Sequence, residues 1–165
     1  PAPDAMVLDC GCGGGANMKT LLKLCPNGKV QGIDYSAVSV EKAQKVNARA
    51  IAAGRCTVQQ ASVAELPFEA EQFDVVTAFE TVYFWPELAQ NFKEVYRVLK
   101  PGGIFFICNE ANGETTKDDR WTQIINGMTI YKDTALKEYL EQAGFCQIQS
   151  HKNKKGWLCV TAQKR

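Results

Sequence analysis

Short apolar runs alternate with amphipathic stretches along most of the chain. The apolar runs predict strands at residues 5–10, 29–34, 55–60, 73–79 and 104–108. Helical patterns fill the intervals at residues 17–24, 36–53 and 86–99, the second of them beginning at a typical N-cap, Ser36. The strands are apolar on both faces, as in parallel sheets that helices cover on each side. We therefore expect an α/β fold with a doubly wound sheet, in which ligands bind at the carboxyl ends of the strands.

The end of the chain departs from this alternation. After a predicted helix at 132–143, two short apolar runs at 145–150 and 157–162 flank a polar turn at 153–156. That pattern predicts an antiparallel hairpin joined to the edge of the sheet. The complete expectation is a seven-stranded, mostly parallel, Rossmann-like sheet with an antiparallel C-terminal hairpin and helices on both faces.

Nothing in the composition argues for a nucleic-acid or membrane partner, although it leaves a local basic patch open. The chain has 165 residues, with 19 Lys and Arg against 18 Asp and Glu, so its net charge is +1. No block of like charge occurs, no apolar run is long enough to span a bilayer, and no signal-peptide pattern is present. The seven cysteines are irregularly spaced, which is typical of reduced thiols. We expect a cytoplasmic, single-domain protein that binds a small molecule.

A metal site is not expected. Cys10 and Cys12 could form half of a zinc site, but no second pair of ligands at suitable spacing follows them. The one histidine, His151, falls in the predicted terminal hairpin, away from the expected site, and no chemistry is assigned to it.

The stretch VLDCGCGGGAN, residues 7–17, lies at the first predicted strand-to-helix turn. Gly11, Gly13 and Ala16 satisfy the glycine fingerprint of dinucleotide-binding proteins, and Asp34 follows at the spacing of an acid that holds ribose hydroxyls. Glycines alone are consistent with a dinucleotide or with another nucleoside.

Asp9 favours one of these ligands over the other. It ends the first strand directly before the glycines, where a pyrophosphate would approach the helix N-terminus. A carboxylate there opposes a pyrophosphate but attracts a cationic ammonium or sulfonium. S-adenosylmethionine carries both cations together with a ribose. In the alternative interpretation, Asp9 only ties down the backbone of the loop.

At this point the chain resembles class I S-adenosylmethionine-dependent methyltransferases. VLDCGCGGG resembles their first motif, GIDYS their second-strand motif, ASVAELPFEAEQFDVV the approach to strand four, and EVYRVLKPGGIFFI the helix, turn and strand that follow. Ser62 stands where the family commonly has an Asp near the adenine. The cofactor-binding residues implied by this resemblance are Asp9, Cys10, Gly11, Gly13, Gly15, Asp34, Tyr35, Ser62, Val63 and Phe79.

The resemblance implies methyl transfer from S-adenosylmethionine by in-line displacement. Glu80 and Tyr83, after the fourth strand, are the candidate catalytic residues, and Tyr83, Phe84 and Trp85 are candidates for an apolar acceptor pocket. The family's motifs for adenine-N6 and cytosine-C5 methylation are absent, so we expect a small-molecule acceptor. Two alternatives are a non-catalytic module that binds S-adenosylmethionine and an NAD(P)-dependent oxidoreductase.

Two expectations concern what covers the site. The segment 109–131 is too long for a simple connection, and such segments tend to be functional. Its apolar residues at helical spacing predict a short helix that either covers the acceptor or packs into the core; they are Trp121, Ile124, Ile125 and Met128. The single domain over residues 1–165 is expected to lack the family's N-terminal lid helix, and therefore to bind the cofactor more weakly than a longer form.

Overall fold

A computed structural model describes residues 1–114 and 116–165, without the side chains of 116, 117 and 119. Its strands are β1 (Met6–Cys10), β2 (Lys29–Asp34), β3 (Cys56–Gln60), β4 (Phe73–Phe79), β5 (Leu99–Asn109), β6 (Cys146–Lys152) and β7 (Leu158–Gln163). Its helices are α1 (Ala16–Leu24), α2 (Ala37–Val46), α3 (Ala48–Ala52), α4 (Leu88–Val98), α5 (Thr116–Ile124) and α6 (Asp133–Gln142), with a 3₁₀ turn at Val82–Phe84.

The strands form one seven-stranded sheet in the order β3-β2-β1-β4-β5-β7-β6. Strands β1 to β5 run parallel, whereas β7 is antiparallel to both β5 and β6. This architecture confirms the predicted fold. The strand order reverses between β1 and β4, and a crevice opens at such a switch point beside the carboxyl ends of the strands.

Helices cover the two faces of the sheet over different strands. Met18 of α1 and Ala43 of α2 are buried with Val7 against β1 and β2 on one face. On the other face, Phe92 of α4 lies edge-on to Phe105 of β5, with ring centroids 5.4 Å apart. Because neighbouring residues of one strand enter different cores, the parallel strands are apolar on both faces.

Two predicted boundaries were wrong. The helix predicted at 36–53 begins as expected, since the Ser36 side chain accepts a hydrogen bond from Ser39 N, but it divides at Asn47. The buried Asn47 amide donates to the carbonyl oxygens of Gly15 and Ala43, both at 3.0 Å, and so competes with the helix backbone.

The second wrong boundary concerns residues 101–103, which were predicted to form a turn between a helix and strand five. They lie within β5 instead. Gly102 N donates to Lys164 O, and Lys164 N donates to Gly103 O, both at 2.9 Å. Pairing with the end of the chain therefore extends the strand.

Within residues 1–114 and 116–165, no helix combines the length and the apolar character needed to cross a bilayer.

Candidate active site

A cavity of about 920 Å³ opens at the carboxyl ends of β1, β2 and β4. We call the part lined by Gly11, Gly13, Asp34, Tyr35, Ser62 and Val63 the glycine-loop end. The part lined by Glu80, Phe84, Trp85, Pro86, Asn126 and Gly127 is the aromatic end. Thus most of the predicted cofactor residues and one predicted catalytic residue line a single cavity, at the upper end of the usual size range for a ligand site.

Asp34 fastens the glycine loop to the turn after β2. Its Oδ2 accepts a hydrogen bond from Gly13 N and its Oδ1 accepts one from Ser36 N, both at 2.9 Å. The residue is 8% exposed and lines the cavity. Each carboxylate oxygen keeps further acceptor capacity, so Asp34 can bind two ligand hydroxyls while it holds the loop.

The three motif glycines have different structural roles. At Gly11 (φ 72°), a side chain would overlap that of Thr81, so glycine allows the β4 loop to approach. At Gly15 (φ 77°), a Cβ would lie 2.9 Å from Ala43 Cα, so glycine allows α2 to pack closely. At Gly13, a Cβ would have no protein atom within 4 Å. Gly13 alone of the three leaves space for a ligand.

Asp9 lies behind the cavity rather than on its surface. It is 1% exposed, and its Oδ1 accepts a hydrogen bond of 2.7 Å from the Thr77 hydroxyl. Its Oδ2 is buried without a hydrogen-bond partner among the described residues. Burial raises the pKa of Asp9 to about 7. Any effect on a ligand therefore acts through space from the first strand, and the assignment of Asp9 to cofactor binding stays a prediction.

The other predicted cofactor residues divide into two groups. Tyr35, Ser62, Val63 and Phe79 line the cavity with the glycine loop. Cys10 and Gly15 do not line it, since Cys10 is fully buried and Gly15 packs against α2. Among the residues that the motifs did not single out, Cys12, Ser36 and Ser39 also line it. Ser36 was predicted only as a helix cap. Its position two residues after Asp34 was the sequence signal that could have placed it at the cavity.

Glu80 projects from the end of β4 with an unusual backbone conformation. Its φ is 56°, in the left-handed region that residues other than glycine seldom occupy. Its carboxylate accepts hydrogen bonds from Glu110 N and from the Tyr83 hydroxyl, the latter at 3.4 Å. Burial raises the pKa of Glu80. Such strain persists where surrounding contacts fix it, and it is frequent at functional sites.

Tyr83 supports Glu80 without reaching the cavity, so its prediction as a pocket residue was wrong. It is 3% exposed, and its hydroxyl accepts a hydrogen bond of 2.9 Å from Ala111 N. The same hydroxyl lies 3.3 Å from Ala111 O, so Glu80 and the Ala111 carbonyl share its proton. Burial raises the pKa of Tyr83. The two predicted catalytic residues are therefore brought together, but only Glu80 lines the cavity.

The aromatic end combines one exposed ring with one buried ring. Phe84 is 44% exposed and lines the cavity. Trp85 is 7% exposed, stacks on Phe105 at 6.2 Å, and donates from Nε1 to Thr81 Oγ1 at 3.3 Å. Both rings lie where the sequence predicts an apolar acceptor pocket, and Trp85 also belongs to the core.

The long segment reaches the cavity through residues that the sequence did not indicate. Asn126 and Gly127, which follow α5, line the aromatic end. Trp121 and Ile124 are 50% and 62% exposed, so core packing was the wrong alternative for them. Ile125 and Met128 are half-buried and do not line the cavity.

Comparison with known proteins identifies the family. The family model described as "methyltransferase domain" matches residues 8–107. The chain is 31% identical over 152 residues to cycloartenol-C-24-methyltransferase of Arabidopsis thaliana, covering 87% of this chain and 45% of that protein. It is 34% identical over 149 residues to sterol methyltransferase-like 2 of Botryococcus braunii, covering 86% and 38%. The chain thus spans less than half the length of these curated relatives.

Solved structures agree on the fold. A putative Haloferax volcanii methyltransferase, in complex with the activator Trm112, superposes with a TM-score of 0.87 at 19% identity, covering 96% of this chain and 82% of that one. A SAM-dependent methyltransferase from Aquifex aeolicus superposes with a TM-score of 0.82 at 22% identity, covering 98% of this chain and 82% of that one.

The residues of the cavity fit the cofactor of this family, S-adenosylmethionine. Asp34 presents free acceptor capacity for two ribose hydroxyls, and the open space at Gly13 admits a ligand against the backbone. The unpartnered Asp9 Oδ2 lies buried behind the same loop. These observations agree with the match to the family model, and the chain belongs to the family of S-adenosylmethionine-dependent methyltransferase domains.

Proposed function

We propose that this domain transfers the methyl group of S-adenosylmethionine to a small, predominantly apolar acceptor bound at the aromatic end. The observation that carries the proposal is the continuity of one cavity. It runs from Asp34 and the glycine loop to the wall formed by Phe84 and Trp85, with Glu80 beside them. An acceptor at that wall shares the cavity with the cofactor and can be aligned with its methyl group.

The glycine-loop end provides binding and orientation. Asp34 holds the ribose, and its bonds to Gly13 N and Ser36 N fix the loop that surrounds the rest of the cofactor. When bound, S-adenosylmethionine supplies a methyl group activated by a positively charged sulfur. Holding two reactants in line contributes on the order of 7–11 kcal/mol, so positioning is the main task of the protein.

Glu80 is the candidate base for an acceptor that must lose a proton. Among the cavity-lining residues that the structure describes, the carboxylates are Asp34 and Glu80. Asp34 is engaged with the loop, whereas Glu80 lines the aromatic end and has its pKa raised by burial, toward the range in which a base works well. Tyr83 is a positioning residue, because it holds the Glu80 carboxylate from behind.

The apolar character of the acceptor has two independent supports. The first is the exposed Phe84 ring on the wall of the cavity. The second is the names of the relatives, which specify sterol and botryococcene methyltransferases, and sterols and botryococcene are predominantly apolar molecules.

A hydrolase-coupled assay for S-adenosylhomocysteine release tests the proposal. The purified chain is assayed with S-adenosylmethionine and a panel that pairs apolar alkenes and sterols with polar amines, thiols and phenols. We expect turnover with apolar members, lost in Glu80→Gln, while S-adenosylhomocysteine still binds to that variant. Turnover restricted to the polar members would overturn the choice of acceptor. Cofactor binding without turnover on any member would favour the non-catalytic module.

A further inference from the structure

Two cysteines face each other across the antiparallel pair β5–β7. Cys108 and Cys159 are direct partners in the register, and their Sγ atoms are 3.2 Å apart. Residues that oppose each other in adjacent strands project from the same face of the sheet. The two thiols are therefore in contact, although 51 positions separate them in the sequence.

The backbone at this pair already suits a disulfide. Directly opposed residues of an antiparallel pair have Cα atoms about 4.5 or 5.5 Å apart, depending on the hydrogen-bonding position. Both values fall within the range of about 4.4–6.8 Å that disulfides span. A bond between Cys108 and Cys159 thus requires side-chain rotation rather than movement of the strands.

The remaining cysteines are placed differently. Cys10, Cys12, Cys25 and Cys56 are buried. Cys146 is half-buried like the pair, but its thiol donates to the Gln163 carbonyl at 3.3 Å. Cys108 and Cys159 are both only half-buried, so a small oxidant in solution can reach them.

The pair lies next to the Glu80 site. Glu80 N donates to Cys108 O at 2.9 Å, and Glu110 N, directly after the end of β5, donates to the Glu80 carboxylate. The strand that carries Cys108 therefore also holds the candidate base. Cys159 belongs to the terminal hairpin, opposite His151 on its other side.

We propose that Cys108 and Cys159 are a reversible thiol–disulfide site that joins the terminal hairpin to the strand holding Glu80. With hydrogen peroxide as the oxidant, one thiolate attacks a peroxide oxygen, the O–O bond breaks, and a sulfenic acid and water form. The second sulfur then attacks the first, the S–O bond breaks, and a second water leaves. Two thiols and one peroxide thus give one disulfide and two waters.

The contact between the two thiols favours the second step. Burial and the neighbouring Cys159 raise the pKa of Cys108, so its thiolate is scarce. Whichever thiol the peroxide oxidises first, its partner lies 3.2 Å away and can resolve the sulfenic acid.

The experiment oxidises the folded chain with hydrogen peroxide, blocks the remaining thiols and maps the peptides by mass. We expect a linked pair of peptides that contain Cys108 and Cys159, reversed by dithiothreitol. The crosslink closes a long loop, so we expect a rise in Tm on the order of 5–10 °C. Binding of S-adenosylhomocysteine should be retained, because the glycine-loop end lies across β4 from the pair.

Three serine variants complete the test. Cys108→Ser and Cys159→Ser should each abolish the linked peptide and the rise in Tm, whereas Cys146→Ser, a half-buried cysteine of the same hairpin, should leave both intact. Differential alkylation of the unmodified chain gives the same answer if a variant fails to fold. The proposal is overturned if both thiols stay alkylatable after oxidation, if either cysteine stops at the sulfenic or sulfinic acid, or if the bridge includes Cys146.

Discussion

The two ends of the cavity are built in different ways. At the glycine-loop end, hydrogen bonds between the ends of two neighbouring strands fix the geometry: Gly11 N and Cys12 N donate to Ile33 O, and Asp34 ties the loop to the next turn. At the aromatic end, the end of β4 and the segment after α5 converge, and Tyr83 O accepts a hydrogen bond from Thr129 N between them. Hydrogen bonds between neighbouring strands therefore shape the proposed cofactor end, whereas contacts between more distant segments shape the proposed acceptor end.

The largest expected effect is a loss of kcat on substitution of Glu80, at the aromatic end, without a loss of cofactor affinity. Glu80→Gln keeps the shape and the hydrogen bond from Glu110 N but cannot take a proton. General-base catalysis contributes about 10²–10⁴-fold. We expect kcat to fall in that range, with the affinity for S-adenosylhomocysteine unchanged. Tyr83→Phe, which removes only the supporting hydroxyl, should lower kcat less; equal losses in the two variants would contradict the positioning role.

The opposite pattern is expected at the glycine-loop end. Asp34→Ala removes the acceptor of two ribose hydroxyls and leaves Gly13 N and Ser36 N without their partner. Hydrogen bonds to a charged group contribute about 1.5–3 kcal/mol each, so we expect at least a roughly 100-fold loss of S-adenosylhomocysteine affinity in calorimetry. Glu80→Gln is the matched control, and similar losses in the two variants would contradict a division of roles.

Two glycine variants sharpen the comparison within the loop. Gly15→Ala places a Cβ 2.9 Å from Ala43 Cα, so it should lower Tm. Gly13→Ala meets no protein atom and should cost about 1 kcal/mol of stability, from its positive φ of 52°. Because Gly13 faces the cavity, Gly13→Ala should weaken cofactor binding strongly for a small loss of Tm. Gly15→Ala should weaken cofactor binding less for the same loss of Tm. A larger loss of cofactor affinity in Gly15→Ala than in Gly13→Ala, at equal loss of Tm, would contradict a ligand that binds against Gly13.

A further expected effect is a pH dependence that originates at Asp9. Its pKa is raised from 3.8 to about 7 in the folded chain, so the folded state binds the extra proton. Stability from this group should therefore fall as the pH rises from about 4 to about 7 and then level off. In thermal denaturation scans at a series of pH values, the Asp9→Asn variant should lose this part of the dependence of stability on pH.

The protonation of Asp9 should also affect the relative affinities for S-adenosylmethionine and S-adenosylhomocysteine. Above pH 7 Asp9 is ionised and favours a positive sulfonium over a neutral thioether. The affinity ratio of S-adenosylmethionine to S-adenosylhomocysteine should increase from pH 6 to pH 8 in the unmodified chain and stay flat in Asp9→Asn. A parallel increase in both proteins would assign the effect to another group.

The sequence predicted what local periodicity and turn chemistry encode. The bounds of β2 and β4 and the Ser36 cap were confirmed, because each is set by neighbouring residues. What it missed depends on contacts between distant segments. Thr77, the partner of Asp9, lies 68 positions away, and Lys164 extends β5 from the other end of the chain.

The aromatic end shows the same limit at the level of the site. Periodicity in the long segment pointed to Trp121 and Ile124, which are exposed, whereas Asn126 and Gly127 line the cavity. Helical spacing identifies one face of a helix but not what that face meets. The contact between Cys108 and Cys159 was hidden for the same reason, since strand order alone makes them neighbours.

Parallel calorimetric titrations with S-adenosylhomocysteine and NADH test most directly whether the glycine loop binds an adenosyl-sulfur cofactor. With Asp9 behind the loop and Asp34 at its edge, the account predicts a saturable heat with S-adenosylhomocysteine and none with NADH. Saturation by NADH, with S-adenosylhomocysteine silent, would contradict it.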